Sequence, residues 1–179
     1  MQSKTPVRQM VLTAMFAALT AVLAQIQIPI GPIPFNLAVF GAYLTGMLLS
    51  PSWAIASMGV YMMLGVLGIP VFAGFQGGPA ALFGKTGGYV IGYLFITGLT
   101  ALAQKHTRSV WFTALAMLAG LGICYTFGTA WFMVVTHADL PSALALCVVP
   151  FVLPDLGKAV CALLLGKVLK RRLTTAHAF

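Results

Sequence analysis

Asp155 and Lys158 are two ionisable residues that stand three positions apart within a long apolar stretch of this sequence. On a helix that spacing puts both side chains on one face. At the centre of a membrane each charge would cost ~2.5–3.5 kcal/mol on insertion scales, and less near an interface. One interpretation is a mutual ion pair that makes both residues tolerable. The other, which we favour for ionisable residues inside a membrane, is a ligand site that faces the interior of a helix bundle.

Lys85 is a third candidate, and it lies in the glycine-rich run GGPAALFGKTGG, residues 77–88. The Gly-Lys-Thr ending is also found in nucleotide-binding P-loops. A P-loop has four residues before its Gly-Lys pair, however, whereas five separate Gly78 from Gly84 here, and Pro79 has no N–H to offer a phosphate. The run therefore does not predict a nucleotide site.

Together, Lys85, Asp155 and Lys158 carry one net positive charge. A pocket built from them favours a small monoanion with an apolar body, and its carboxylate can accept ligand N–H groups. For Asn36 and Gln76, neutral hydrogen bonding to a ligand and an ordinary role in a loop or helix end both stay open. The expected aromatic floor of this pocket is Phe35, Phe72, Phe83, Tyr89 and Trp131.

Composition indicates which elements must position these residues. The chain has 179 residues, of which 60% are hydrophobic and 7% charged, and its mean hydropathy is +1.00. Soluble domains are about a quarter charged, so we predict an all-α integral membrane protein. A single membrane domain, 1–179, would form a six-transmembrane-helix bundle, since each crossing needs ~20 apolar residues. The predicted spans are roughly 10–28, 35–49, 53–67, 89–103, 110–135 and 143–169, and the first is expected to be retained rather than cleaved.

The segment 68–88, between predicted helices 3 and 4, is rich in glycine yet apolar. Non-helical backbone at membrane depth is tolerated where it is buried in protein or lines a cavity. We therefore expect a glycine-rich re-entrant loop, either as a structural plug or, as we favour, as the lid of a binding site. The three cysteines are scattered and predict neither a metal site nor a disulfide.

The positions of the charges predict the topology. The net charge is +8, but the cations lie at the ends and in short polar breaks, which favours membrane topology over nucleic-acid binding. Lys85 and Lys158 fall in the outer half with the two acids, Asp139 and Asp155. The remaining cations share one face, which the positive-inside rule makes cytoplasmic together with both termini: Lys4, Arg8, Lys105, Arg108, Lys167, Lys170, Arg171 and Arg172.

The first predicted helix carries alanines at a spacing of three and four. Ala14 with Ala18, and Ala17 with Ala21, form two small-xxx-small pairs that permit close helix approach. Packing within this protein's own bundle and docking of a partner membrane protein are both open interpretations.

Three stretches give the sequence a family resemblance: IPIGPIPFNLAVFGAYLTGMLL, GIPVFAGFQGGPAALFGKTGGYVIGY and PFVLPDLGKAV. They resemble the BioY family, the biotin-specific substrate-binding (S) subunits of bacterial energy-coupling factor (ECF) transporters, over nearly the whole chain. The resemblance implies a six-helix bundle in the cytoplasmic membrane and a biotin pocket near the outer surface, under the loop between helices three and four. It also implies as partners a transmembrane coupling (T) subunit, docked on the alanine face, and two ABC-type ATPases.

The resemblance also implies residue roles. Lys85, at a position where the family often has proline, and Lys158 would hold the valerate carboxylate, while Asp155 would take the ureido N–H groups. Asn36 and Gln76 are the candidates for a further amide at the ureido ring. The family implies biotin as ligand and no cofactor.

Other functions give different expectations. A sibling S component would bind another small anionic vitamin. An intramembrane enzyme would need a nucleophile with a base, or a metal site, and the sequence offers no such cluster. A purely structural assembly factor would bind no ligand.

Overall fold

A computed structural model describes residues 6–28, 33–107 and 109–175 of the chain. Helices dominate it, and one short antiparallel ladder pairs Gln27 with Asn36 and Ile28 with Phe35. The elements in chain order are α1 Pro6–Gln25, β1 Gln27–Ile28, β2 Phe35–Asn36, α2 Ala38–Leu48, α3 Pro51–Val66, α4 Pro79–Leu82, α5 Gly87–His106, α6 Val110–Thr136, α7 Leu140–Cys147 and α8 Val149–Thr175.

The helical class is confirmed, and the helix lengths differ from the six predicted spans. Within the described residues, four segments are long and apolar enough to cross a membrane. They are Val7–Gln25, Gly87–His106, Val110–Thr136 and Leu140–Arg172. In contrast, α2 has 11 residues and α3 has 16, fewer than the ~20 of a typical crossing. The first helix ends earlier than predicted, at Gln25, and the second begins later, at Ala38, because residues 27–28 and 35–36 pair as strands. Six crossings and a re-entrant loop stay predictions.

Helix α2 lies at the centre of the bundle. It packs against α1, α5 and α8, and all of its residues except Phe40 are buried. Gly46 allows the closest approach, since a Cβ there would fall 2.6 Å from the carbonyl oxygen of Thr97. Thr97 in turn donates a hydrogen bond to the carbonyl of Ala42 over 3.1 Å. Small residues thus bring α2 and α5 together, as in membrane bundles generally.

The outer surface of the bundle is apolar and its interior holds the polar side chains. Large hydrophobic residues on α6 and α8, such as Trp111, Val134 and Leu153, are strongly exposed. Thr20, Thr45 and other hydroxyl residues are buried, and many donate to carbonyls within their own helix. This distribution is the reverse of a water-soluble surface and suits contact with lipid.

The last predicted span is broken into two helices. Val148 separates α7 from α8 and leaves the helical conformation, and Pro150 falls in the first turn of α8, where its missing N–H costs nothing. Asp139 caps α7 by accepting a hydrogen bond from the backbone N–H of Ser142, and these contacts lower the pKa of that carboxyl. The break lets α8 enter the bundle with Asp155 and Lys158 near its beginning.

Candidate functional site

A cavity of about 480 Å³ lies between the helices and beneath the segment that joins α3 to α5. The structure brings all seven predicted ligand-binding residues to its wall: Asn36, Phe72, Gln76, Lys85, Tyr89, Asp155 and Lys158. Its size falls within the range of small-molecule sites. These side chains come from β2, the segment 67–86, α5 and α8, yet they line one cavity. That they bind a ligand stays a prediction.

Asp155 and Lys158 form an ion pair in the wall of this cavity. They are 3% and 7% exposed, and Lys158 Nζ lies 2.7 Å from Asp155 Oδ1. Lys158 also donates to the backbone oxygen of Asn36 at 2.5 Å and lies 3.8 Å above the ring of Phe35. The hydroxyl of Tyr125 donates to Asp155 Oδ2 over 2.7 Å. The ammonium group of Lys158 thus has three contacts for its three protons. Each oxygen of the Asp155 carboxylate keeps a further lone pair, which can accept a hydrogen bond from a ligand.

Lys85 has a different environment. It is exposed at the cavity, and neither of the chain's two acids pairs with it, because Asp155 contacts Lys158 and Asp139 caps α7. Its backbone is fixed at the preceding residue, since Trp131 Nε1 donates to the carbonyl of Gly84 at 3.0 Å. The cavity therefore presents one neutralised charge pair and one cation that is open to a ligand.

The glycines around Lys85 serve close packing rather than phosphate binding. A Cβ at Gly87 would lie 1.5 Å from the carbonyl oxygen of Leu82, and one at Gly88 would lie 2.4 Å from the Cβ of Trp131. These two positions let the start of α5 fit against α4 and α6. The rejection of a P-loop from spacing agrees with this arrangement, in which the glycines contact protein.

Tyr89 is held over the cavity by α6. Its hydroxyl lies 2.9 Å from the hydroxyl of Thr129. Its ring covers Gly128, where a Cβ would fall 2.4 Å from the ring carbons. The glycine on α6 makes the space that the tyrosine occupies, so the orientation of the ring depends on a residue of the neighbouring helix.

The segment 67–86 closes the cavity by a tight turn in which Phe72 and Gln76 exchange backbone hydrogen bonds. Phe72 fills a space above Gly65, where a Cβ would lie 2.1 Å from its ring, and it packs edge-on against Tyr61 with ring centroids 5.6 Å apart. Phe75 at the tip has a positive φ of 56° and is 71% exposed. The turn is anchored by one aromatic side chain and exposes another.

Gln25, the last residue of α1, ties this turn to the bundle. Its Nε2 donates to the carbonyls of Val71 and Phe72, each at 3.1 Å, and its Oε1 accepts from the N–H of Phe75 over 2.9 Å. Gln25 was not among the predicted functional residues. In the sequence, Gln25 is a polar residue at the end of an apolar helix. That position suggests a hydrogen bond but does not identify its partners, which lie 46 to 50 residues later in the chain.

Comparison with known proteins identifies the family of this chain. A family model described as the BioY family matches residues 1–175. The chain belongs to the BioY family. Its relatives include a biotin transporter BioY of Thermotoga maritima, 40% identical over 92% of this chain and 96% of the relative. A probable biotin transporter BioY of Pyrococcus horikoshii is 39% identical over 89% and 94% of the two chains.

A solved structure agrees with this assignment. The crystal structure of the S-component for biotin from an ECF-type ABC transporter is 27% identical, covers 96% of this chain and 95% of its own, and superposes with a TM-score of 0.86. The relatives are named as transporters and not as enzymes. Membership of a membrane transporter family, together with the apolar helices, makes this BioY chain a multi-pass membrane protein.

The aromatic floor of the BioY cavity differs from the predicted one. Of the five predicted residues, Phe72 and Tyr89 line the cavity. The ring of Phe35 lies against Lys158 instead. Phe83 and Trp131 stack on each other, with ring centroids 6.3 Å apart, because α4 turns Phe83 outward. Three tyrosines that the sequence analysis missed line the cavity instead, Tyr61, Tyr93 and Tyr125. They occur within apolar helices, where the sequence does not tell which face points inward.

The two predicted amides of the BioY chain have unequal freedom. Asn36 Oδ1 accepts a hydrogen bond from the N–H of Ala38, the first residue of α2, at 2.9 Å. That bond holds the side chain at the start of α2 and leaves its NH₂ group and one lone pair of its oxygen for a ligand. Gln76 is exposed at the turn over the cavity. A third amide that the sequence analysis missed, Gln27, also lines the wall.

The predicted alanine face on α1 is divided by the bundle. Ala14 and Ala18 are exposed, Ala21 is half-buried and Ala17 is 1% exposed. The prediction of partner docking at Ala17 is therefore wrong, because that residue packs inside the protein where α1 meets its neighbouring helices. An exposed pair, Ala14 and Ala18, remains on the outer side of α1 in this BioY chain.

Proposed function

We propose that this chain captures biotin and serves as the substrate-specific subunit for biotin uptake by an ECF-type transporter in the bacterial cytoplasmic membrane. The observation that carries the proposal is the polarity of the cavity. Its wall holds a buried Asp155–Lys158 pair, and its exposed part holds Lys85, which has no acidic partner among the described residues. The names of the relatives and of the solved S-component point to the same ligand.

Biotin has the complementary chemistry. It carries one carboxylate at the end of an apolar chain, an apolar thiophane ring and a planar ureido ring with two N–H donors and a carbonyl. The charged residues of the cavity sum to one positive charge, which matches one carboxylate. We assign the carboxylate to Lys85 and the ureido N–H groups to Asp155, whose oxygens keep free lone pairs. Phe72, Tyr61 and Tyr89 would contact the apolar body.

The proposed topology has six crossings, both termini in the cytoplasm and the cavity facing outward. Helix α5 has 20 residues, so it separates Lys85 from Lys105 by about 30 Å. Lys170, near the end of α8, donates to Gln104 near the end of α5 over 2.9 Å, which supports one shared cationic face. Lys4 and Arg108, two of the cations predicted there, lie outside the described residues.

The proposed partners are a transmembrane coupling subunit and two ATPases. Support comes from the likeness to an S-component and from the exposed alanines Ala14 and Ala18 on α1, because small residues let a second helix approach closely. Lipid would cover the remaining apolar surface of α6 and α8.

Equilibrium binding of radiolabelled biotin to the purified protein in detergent tests the proposal. We expect saturable binding that unlabelled biotin displaces and that other anionic vitamins do not. Binding of a different vitamin in place of biotin would support a sibling S component. Conversion of a bound compound into a product would support the enzyme alternative. If the protein shows no binding and no turnover, the structural assembly factor is the alternative that remains.

A further inference from the structure

Positive charge is concentrated where α8 ends. The last turns of that helix carry Lys167, Lys170, Arg171 and Arg172. The chain has two acidic residues, and both are engaged elsewhere, since Asp155 pairs with Lys158 and Asp139 caps α7. Asp155 lies about 18 Å before Lys167 along the helix axis, which is about twice the Debye length at physiological salt. The acidic side chains therefore do not neutralise the charge at this end of α8.

Hydrogen bonds between neutral and cationic side chains fix the position of this charge. Lys170 donates to Gln104 Oε1 over 2.9 Å, which joins α8 to the end of α5. Gln104 Nε2 in turn donates to Thr113 Oγ1 at 3.0 Å, which joins α5 to the beginning of α6. Lys105 follows Gln104 and is exposed. The ends of three helices are thus tied together, and a ligand meets cations from α5 and α8 that are already organised.

One side of α8 continues from these cations as an exposed apolar surface. Four residues follow each other at intervals of four, three and four positions, which puts them on one side of the helix; they are Val160, Leu164, Lys167 and Arg171, and we call them the α8 stripe. Val160 is 56% and Leu164 61% exposed, whereas Lys167 is half-buried and Arg171 is exposed. The α8 stripe therefore combines an apolar part with a positively charged end.

The length of the α8 stripe fits one leaflet of a bilayer. The stripe extends over about 16 Å, and half of the hydrocarbon core of a bilayer is about 15 Å thick. It lies within Leu140–Arg172, a segment that is long and apolar enough to cross a membrane. A molecule that covers the whole stripe must therefore have an apolar chain and an anionic group at the level of the headgroups.

We propose that the α8 stripe binds one anionic phospholipid. The phosphate group lies at Lys167 and Arg171, with Lys105 and Lys170 beside it, and an acyl chain covers the apolar part of the stripe. An acidic protein would match the charges but not the apolar surface beneath them, and a zwitterionic lipid would match that surface but not the net charge. This inference goes beyond biotin capture and does not depend on the ligand of the cavity. In the proposed topology the lipid belongs to the cytoplasmic leaflet, where anionic headgroups attract basic clusters.

Native mass spectrometry of the purified full-length chain, titrated with equal amounts of phosphatidylglycerol and phosphatidylcholine, tests the proposal. We expect the wild type to bind phosphatidylglycerol about 10-fold more tightly or better. A cation near a membrane surface contributes roughly fivefold to the affinity for anionic lipid, so Lys167→Gln should lower the preference about fivefold. Lys105→Gln should lower it in the same direction, and this exposed position on another helix keeps the test valid if Lys167→Gln does not fold. Glycerophosphoglycerol, the same headgroup without acyl chains, should show no detectable binding.

Arg172→Gln is the matched control, because it removes the same charge from the same end of α8. Arg172 lies about 140° around the helix from Lys167, so its loss should change the preference by less than about twofold. Equal losses in Arg172→Gln and Lys167→Gln would indicate only a diffuse positive potential and would overturn the proposal. Equal binding of the two lipids by the wild type, or tight binding of glycerophosphoglycerol, would also overturn it. If the two lysine variants keep the lipid preference and lose co-purification with the proposed ATPase subunits, the cluster binds an acidic protein and the lipid proposal is rejected.

Discussion

Replacing Lys85 with methionine should remove the preference of the cavity for biotin over biotin amide, which lacks the negative charge. Lys85 lines the cavity, is exposed and has neither of the chain's two acids as a partner. Lys158, the other cation of the cavity, is held by Asp155, by the backbone of Asn36 and by the ring of Phe35. The cation available to a ligand carboxylate is therefore Lys85.

The size of the effect follows from exposure. A hydrogen bond to a charged group contributes ~1.5–3 kcal/mol net, and solvent screening reduces that value for an exposed lysine. We expect ~1–2 kcal/mol, which is a preference of about 5- to 30-fold for the acid over the amide. Lys158→Met behaves differently, because it leaves the Asp155 carboxylate buried with only the Tyr125 hydroxyl as a partner. Breaking a buried pair destabilises the fold by ~3–5 kcal/mol. Because Asp155 is assigned to the ureido N–H groups, which biotin and biotin amide share, the effect on binding falls equally on both ligands.

Isothermal titration of wild type, Lys85→Met and Lys158→Met with both ligands measures these ratios. The wild type should prefer biotin, Lys85→Met should bind the two within about twofold, and Lys158→Met should weaken both and keep the preference. Raising the salt concentration should reduce the wild-type preference, because screening acts on exposed charges. If the preference survives in Lys85→Met and disappears in Lys158→Met, the carboxylate binds Lys158 and our reasoning from its occupied contacts is refuted.

Three further predictions concern the lid, the partner and the topology. Gly65→Ala should expel the Phe72 ring, since the new Cβ would lie 2.1 Å from it, at a cost of ~1–3 kcal/mol in stability and with faster biotin release. Gly59→Ala on the same helix, with open space around it, is its control, and equal release rates would contradict the role of Phe72. Ala18→Trp should weaken co-purification with the coupling subunit and leave biotin affinity unchanged; the opposite pattern would mean that this face packs within the bundle. Lys85→Cys should react with an impermeant maleimide added outside intact cells, and labelling from the cytoplasmic side alone would overturn the topology.

The cavity-lining residues that could be predicted from the sequence were those whose chemistry conflicts with their surroundings. An acid and a lysine at a helical spacing in an apolar stretch predict an ion pair or a ligand site. Asp155 and Lys158 do pair in the cavity wall, and their binding of a ligand stays a prediction. Lys85 was identified in the same way. Helix existence was predictable from apolar length, whereas helix ends were not, since the strand pair formed by Gln27 and Asn36 depends on contacts between distant residues.

The residues that were missed or misassigned are apolar or aromatic residues within apolar segments. Their positions in the protein depend on how the helices pack, which the sequence does not show. A tyrosine in an apolar helix, such as Tyr125, can face lipid, protein or a cavity, and the sequence does not separate these cases. Ala17 and Ala18 are adjacent and chemically identical, yet the first is buried and the second exposed. Phe83 and Phe72 occur in one apolar segment, but α4 turns the first outward while Gly65 receives the second.

The hydrogen bonds of Gln25 make α1 and the closing turn one mechanical unit. Gln25 stands about three turns above Ala14 on the same side of the helix, so a partner that tilts or shifts α1 at Ala14 and Ala18 also moves the carbonyls of Val71 and Phe72. Thermodynamic linkage is reciprocal. If binding of a partner to α1 loosens the turn, it lowers the affinity for biotin. Bound biotin must then lower the affinity for that partner by the same factor.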